Sequence, residues 1–160
     1  MEQILLFTDG SASPQSKIGY GAYLLVTDIS VPLESLQSQV QLKRFTDTSS
    51  TKLELQTLIW ALNDIQPLDR KIVIYTDSQN IVELPKRRER LEKNDYRSKQ
   101  NKRLANYQLY QSLFNLTDKL NCEYVKLRGH LASSKKNDLD TLFSFVDKAS
   151  RRALRKDGGS

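Results

Sequence analysis

The sequence predicts an α/β protein built on a five-stranded mixed sheet with helices packed against it. Three observations carry that prediction. Three strand-like segments follow one another near the start, joined by short polar links, which points to an antiparallel meander. The hydrophobic period then changes from that of strands to that of a helix after residue 51. Beyond that point apolar strand-like runs alternate with helical patterns, giving the order β-β-β-α-β-α-α-β-α. With 160 residues the chain is long enough for one self-sufficient core. The expected layout is a single domain over 1–156 and a flexible tail over 157–160.

The elements follow in order. Residues 3–9 read as a strand, and 10–17 as a polar turn with Ser11, Ser13 and Pro14. The segment 19–26 reads as a second strand, with glycines where another backbone or a ligand comes close. Residues 28–34, with Pro32, read as a turn, and 39–45 as a weaker third strand. After the cap-like cluster 48–51, Leu58, Ala61, Leu62 and Ile65 fall at helical spacing, and Pro67 ends that helix. The apolar run 72–75 suits a strand buried on both faces. Asp77 and Ser78 then open a short helix that Pro85 is expected to stop. Leu104, Tyr107, Leu113, Leu116 and Leu120 mark a longer helix, and 122–128 a fifth strand. A polar loop, 129–137, carries the only histidine, His130. Leu139, Leu142, Phe143, Val146, Ala149 and Ala153 make a final amphipathic helix.

Composition narrows the function. The net charge is +6, and it is concentrated. Residues 86–103 hold nine basic side chains against three acidic ones, and the rest of the chain balances. Such a segment suits a polyanion such as nucleic acid, while a purely solvated helix face is the plainer reading. No apolar stretch approaches a membrane span. The first residues lack a basic, apolar, small-residue leader. The single Cys122 cannot form an internal disulfide and reads as a packed structural thiol. Together these lead to the expectation of a cytoplasmic protein.

Acidic residues stand where the patterns call for apolar ones. Asp9 closes the run Ile4-Leu5-Leu6-Phe7-Thr8, and Asp77 closes Ile72-Val73-Ile74-Tyr75-Thr76. Glu54 lies one turn before Leu58 on the inward stripe of the first long helix. A half-buried carboxylate costs several kcal/mol unless compensated, and carboxylates brought together repel and take up protons. A divalent cation removes both problems, so the pattern points to a metal-dependent site. A cap is the plainer role for each acid taken singly, for Asp77 above all.

Five short motifs then carry a family resemblance. Phe7-Thr8-Asp9-Gly10-Ser11, Gly19-Tyr20-Gly21-Ala22, Leu53-Glu54-Leu55, Thr76-Asp77-Ser78-Gln79 and Arg128-Gly129-His130 stand in the order and contexts of ribonuclease H, type 1. The chain resembles that family over nearly its whole length. The resemblance implies a ribonuclease H-like fold, with a three-stranded antiparallel meander and two parallel strands flanked by helices. It implies a monomeric endonuclease that cuts the RNA strand of an RNA–DNA hybrid, leaving 5′-phosphate and 3′-hydroxyl ends. Asp9, Glu54 and Asp77 match the family's first three acids and would bind two Mg²⁺ ions, with Mn²⁺ as the other candidate. The fourth acid is open between Asp147, whose surroundings look more like the family's last helix, and Asp140, which lies closer to the histidine. Asp147 is the preferred reading. The two are seven residues apart, so periodicity cannot choose between them. His130 would assist proton transfer or product release.

The resemblance also implies substrate contacts. Gly10, Ser11 and Gln79 match positions near the RNA strand, and Asn106 an asparagine at a DNA-strand phosphate. Ser50 and Thr51 stand where many members carry paired asparagines, with fewer hydrogen-bond donors. Lys86, Arg87 and Arg88 open the basic segment, which occupies the place of the family's basic protrusion but lacks its tryptophans. Trp60 is expected to be packed, as are Tyr107 and Tyr110. Two rivals share parts of the pattern: a DNA-directed nuclease on the same fold, and a hybrid-binding module without catalysis.

Overall fold

The computed structural model describes residues 3–65, 69–127 and 137–158. Its strands are β1 (Gln3–Ala12), β2 (Gly19–Val26), β3 (Gln41–Phe45), β4 (Lys71–Thr76) and β5 (Cys122–Lys126). Its helices are α1 (Leu33–Gln37), α2 (Ser50–Asp64), α3 (Gln79–Lys93), α4 (Tyr107–Asp118) and α5 (Asp138–Lys156). The strands form one sheet in the order β3-β2-β1-β4-β5. β1 pairs antiparallel with β2, and β2 with β3. β1 pairs parallel with β4, and β4 with β5. This is the expected meander joined to two parallel strands.

β1 lies at the centre, so both of its faces are covered, and its alternation decides what each side chain meets. Ile4 and Leu6 pack with Ile72 and Ile74 under α2, α3 and α4, against Leu55, Leu58, Leu62 and Leu113. Leu5 and Phe7 point the other way and join Leu24, Val73, Leu142, Phe143 and Val146 beneath α5 and α1. Phe7 and Tyr75 stack on that second face with ring centroids 4.9 Å apart. No helix among the described residues is long and apolar enough to cross a membrane.

Two expectations about elements are corrected. Pro85 does not stop a helix; it lies inside α3, which runs on to Lys93. A mid-helix proline removes one hydrogen bond and crowds the preceding turn. Here Ile81 and Leu84 before it and Leu91 after it are all buried, so packing carries the helix through. The turn at 28–34 is followed by a short helix the sequence pattern did not show, α1, entered through Pro32 and held by buried Leu36. Five residues are too few to display a helical period.

Two other features settle open readings. The strand glycines make room for α2 rather than for a ligand: a Cβ on Gly21 would collide with the Thr57 side chain, and one on Gly19 would stand 2.8 Å from Leu53. At the C-terminal end, Asp157 accepts hydrogen bonds from the Tyr20 hydroxyl at 2.6 Å and from Arg44 Nε at 2.7 Å. The segment expected to be a tail therefore begins with a side chain tied to the β2–β3 edge.

Candidate active site

Strand parity builds the site. Asp9 follows Phe7 by two residues on β1, and Asp77 follows Tyr75 by two residues beyond β4. Phe7 and Tyr75 are register partners on neighbouring parallel strands. Both acids therefore stand at the carboxyl ends of these strands, on the α5 face, where open α/β sheets hold ligands. A shallow concavity at that end is lined by Thr8, Asp9, Gly10, Glu54, Thr57, Thr76 and Asp77.

The electrostatics identify the neighbours. The Asp9 carboxyl is pushed up to about 8, mainly by burial and then by the charge of Asp77. The charge of Asp147 and a hydrogen bond with it raise Asp9 further, against a lowering hydrogen bond from the Gly10 backbone. Glu54 is raised above the ordinary carboxylate range by burial and by Asp77, while a hydrogen bond from Ser78 opposes the shift. Ser78 Oγ donates to Glu54 Oε2 at 2.7 Å and accepts from the Ile81 amide at 3.2 Å. Ser78, not Asp77, is thus the N-cap of α3, which leaves the Asp77 carboxylate to the site.

The two candidate fourth acids part company on α5. Asp140 closes a capping box: its Oδ2 accepts from the Asn137 amide at 3.1 Å, and its own amide donates to Asn137 Oδ1 at 3.0 Å. Asp147 faces Asp9 and accepts from Arg151 Nη2 at 2.9 Å, with 18% of its side chain exposed. The fully buried Ser150 donates to the Asp147 carbonyl at 3.0 Å and shares a 3.1 Å hydrogen bond with Ser11. That contact ties the end of β1 to the turn of α5 that carries Asp147.

The remaining candidates are more dispersed. Ser50 and Thr51 are exposed in the first turn of α2, one turn before Glu54, behind the N-cap Ser49. Gln79 donates to Glu83 at 2.8 Å and accepts from Lys126 Nζ at 2.6 Å. Lys126 was not singled out from sequence. Only the parallel register, which sets it opposite Thr76, brings it to the site's end of the sheet. Lys86 is exposed. Arg87 is half-buried, donating to Asn80 at 2.7 Å and lying 6.0 Å over the Tyr110 ring. Arg88 binds both oxygens of Asp118 at 2.6 and 2.8 Å and lies over Phe114, so its head group joins α3 to α4. Asn106 is the half-buried N-cap residue of α4, with no side-chain capping bond. Trp60 is packed edge-on against Tyr23 and beside Phe45. Arg128, Gly129 and His130 lie outside the described residues. Among the described residues no group of three or more aspartate, glutamate, histidine or cysteine side chains stands close enough together to hold a metal ion as it is.

This sheet order, with helices on both faces, is that of an RNase H domain. The solution structure of the PFV RNase H domain aligns with a TM-score of 0.71 at 14% identity, covering 93% of this chain and 92% of that one. The foamy viral protease-reverse transcriptase solved with an RNA/DNA hybrid aligns at 0.69 and 13% identity, over 93% of this chain and 19% of that one. The RNase H family model matches residues 1–153, and the chain belongs to the RNase H family as an RNase H enzyme. Similar relatives include a Ribonuclease H of Ruthia magnifica subsp. Calyptogena magnifica, 26% identical over 87% of this chain and 90% of that protein. Another is the Ribonuclease H of Syntrophomonas wolfei subsp. wolfei, 25% identical over 81% and 86%.

Proposed function

We propose that this enzyme acts as a monomer that hydrolyses the RNA strand of RNA–DNA hybrids with two Mg²⁺ ions held by Asp9, Glu54, Asp77 and Asp147. The observation that carries the reading is the Asp9 carboxyl, driven up by burial and by two neighbouring acids. Three carboxylates so close repel one another unless protons or cations stand between them. Oxygen donors of this kind suit Mg²⁺, which keeps several waters and leans on substrate phosphate, so a closed cage of side chains is not required. When bound, such ions would activate the attacking water and stabilise the leaving 3′-oxygen, giving 5′-phosphate and 3′-hydroxyl ends.

The chain's own groups supply the rest. Ser78 holds one oxygen of Glu54, and the Ser11–Ser150 contact holds α5 at the end of β1. Gly10, Ser11 and Gln79 would meet the RNA strand, where contacts to 2′-hydroxyls distinguish RNA from DNA. Ser50 and Thr51, exposed at the start of α2, would do the same with their hydroxyls. Lys86, Arg87, Arg88 and Asn106 would meet phosphates, Arg88 by the in-plane N–H groups left over from its pairs with Asp118 and Glu92. His130 would take or deliver a proton, its pKa range suiting that exchange. Membership of the RNase H family supports the choice of duplex.

The test is an end-labelled hybrid incubated with Mg²⁺. Cuts should fall in the RNA strand alone and stop with EDTA. Asp9→Asn should lower the rate at least about 100-fold, since groups one step removed from a metal are already worth about 10–100-fold. A DNA duplex cut faster than the hybrid would favour the DNA-directed nuclease. Tight hybrid binding with no cleavage in Mg²⁺ or Mn²⁺ would favour the binding module.

A further inference from the structure

The second half of α5 carries a cationic stripe that neither the carboxylate site nor the basic segment on α3 accounts for. Lys148, Arg151, Arg152 and Arg155 are all exposed and line one concave strip of surface. Their spacing of three and four residues puts them on one helix face. The opposite face of the same helix, Leu142, Phe143, Val146, Ser150 and Leu154, is buried. Arg151 is paired with Asp147. Lys148, Arg152 and Arg155 have no carboxylate partner among the described residues. Like charges this close on a helix are mutually destabilising, so the stripe has a cost to the isolated protein.

The stripe starts beside the site. Lys148 follows Asp147 directly, and Arg151 touches its carboxylate. From there α5 runs past Ser11 to Asp157 at the β2–β3 edge. Lys148 to Arg155 covers about 10 Å along the helix axis, about the rise of three nucleotides of one strand. α3, with the sequence's main basic segment, packs on the other face of the sheet. The carboxylates lie between two cationic surfaces, one on each side.

We infer that the α5 stripe is a second nucleic-acid surface, which binds the phosphates of the substrate strand as it leaves the carboxylate cluster. The proposal rests on the hybrid reading only for the identity of the duplex. An anionic membrane is the less suitable partner. A helix lying on a bilayer needs an exposed apolar face, and that face of α5 is packed on the sheet.

The experiment measures hybrid binding by fluorescence anisotropy in EDTA, across a salt series, for the full chain and for the variant Lys148→Gln, Arg152→Gln, Arg155→Gln. Arg151 is left in place because it touches Asp147. The expected result is a slope of log affinity against log salt flatter by about 2–3, with a thermal melt at or slightly above the parent's, since like-charge repulsion along α5 is relieved. A parallel variant at Lys86, Arg87 and Arg90 should flatten the slope independently, so that the two decrements add. An unchanged slope in the α5 variant overturns the proposal. So does a loss confined to phosphatidylserine vesicles, which would assign the stripe to membranes. Should the triple variant melt early, the three single variants read the same slope in parts. A protein that binds hybrid but never cuts it would refute the hydrolytic reading and leave the stripe to be judged on its slope.

Discussion

Asp9 occupies a position that disfavours its own charge. It stands two residues past buried Phe7, which stacks on half-buried Tyr75, with Asp77 and Asp147 as neighbours. Its folded-state carboxyl is raised to about 8, far above the value of about 3.9 expected in the unfolded chain. The folded protein therefore holds a proton that the unfolded chain has lost between about pH 4 and pH 8. The linkage sign makes stability fall as pH rises through that window. Asp9→Asn should remove that slope, because the amide is neutral throughout. In EDTA the variant should be the more stable protein at pH 8, by on the order of a few kcal/mol, and equal to the parent near pH 4. Urea melts at both pH values check this. A parent whose stability is flat from pH 4 to pH 8 would sink it.

At the scale of elements, α5 shows why the sequence could name both candidate acids without choosing between them. Seven residues bring Asp140 and Asp147 to nearly the same side of a helix. What separates them is tertiary: Asn137 draws Asp140 into a capping box, and β1 brings Asp9 to Asp147. Asp140→Asn should therefore cost about 0.5–1 kcal/mol through the cap and the helix dipole, with cleavage nearly intact. Asp147→Asn should cut cleavage at least about 100-fold while stabilising the metal-free protein only above about pH 8, where Asp9 is ionised and loses a neighbouring charge. A paired melt and hybrid-cleavage assay separates the two, and the reverse pattern would assign the fourth acid to Asp140. The same limit explains the other departures from the sequence reading. Period and punctuation found β1, β2, β4 and the apolar stripes of α2 and α5. They read Pro85 as a stop because the buried Leu84 and Leu91 that carry α3 past it are visible only in the packed structure. The sequence shows Ser78 only as part of a helix start and Lys126 not at all, because each gains its role in the site from a partner far along the chain, Glu54 and Gln79.

For the whole molecule, the carboxylate end of the sheet is where stability and activity meet. One strand pair, two helices on opposite faces and a helix cap converge there, each placing an acid that the fold alone does not need. Divalent cations should relieve that conflict by binding the native state and not the unfolded chain. At ten times its dissociation constant, one bound ion stabilises by about 1.4 kcal/mol, which for a domain of this size raises Tm by about 3–6 °C. Binding must displace the proton on Asp9, so affinity should rise between pH 6 and pH 8, and the Tm gain at fixed Mg²⁺ with it. Asp9→Asn should abolish most of the gain, whereas the Lys148, Arg152 and Arg155 variant, which bears only on nucleic acid, should keep it. A Tm that ignores Mg²⁺ and Mn²⁺ at every pH, in a protein that still melts cooperatively, would mean that these carboxylates hold no ion. Their raised protons would then need another explanation.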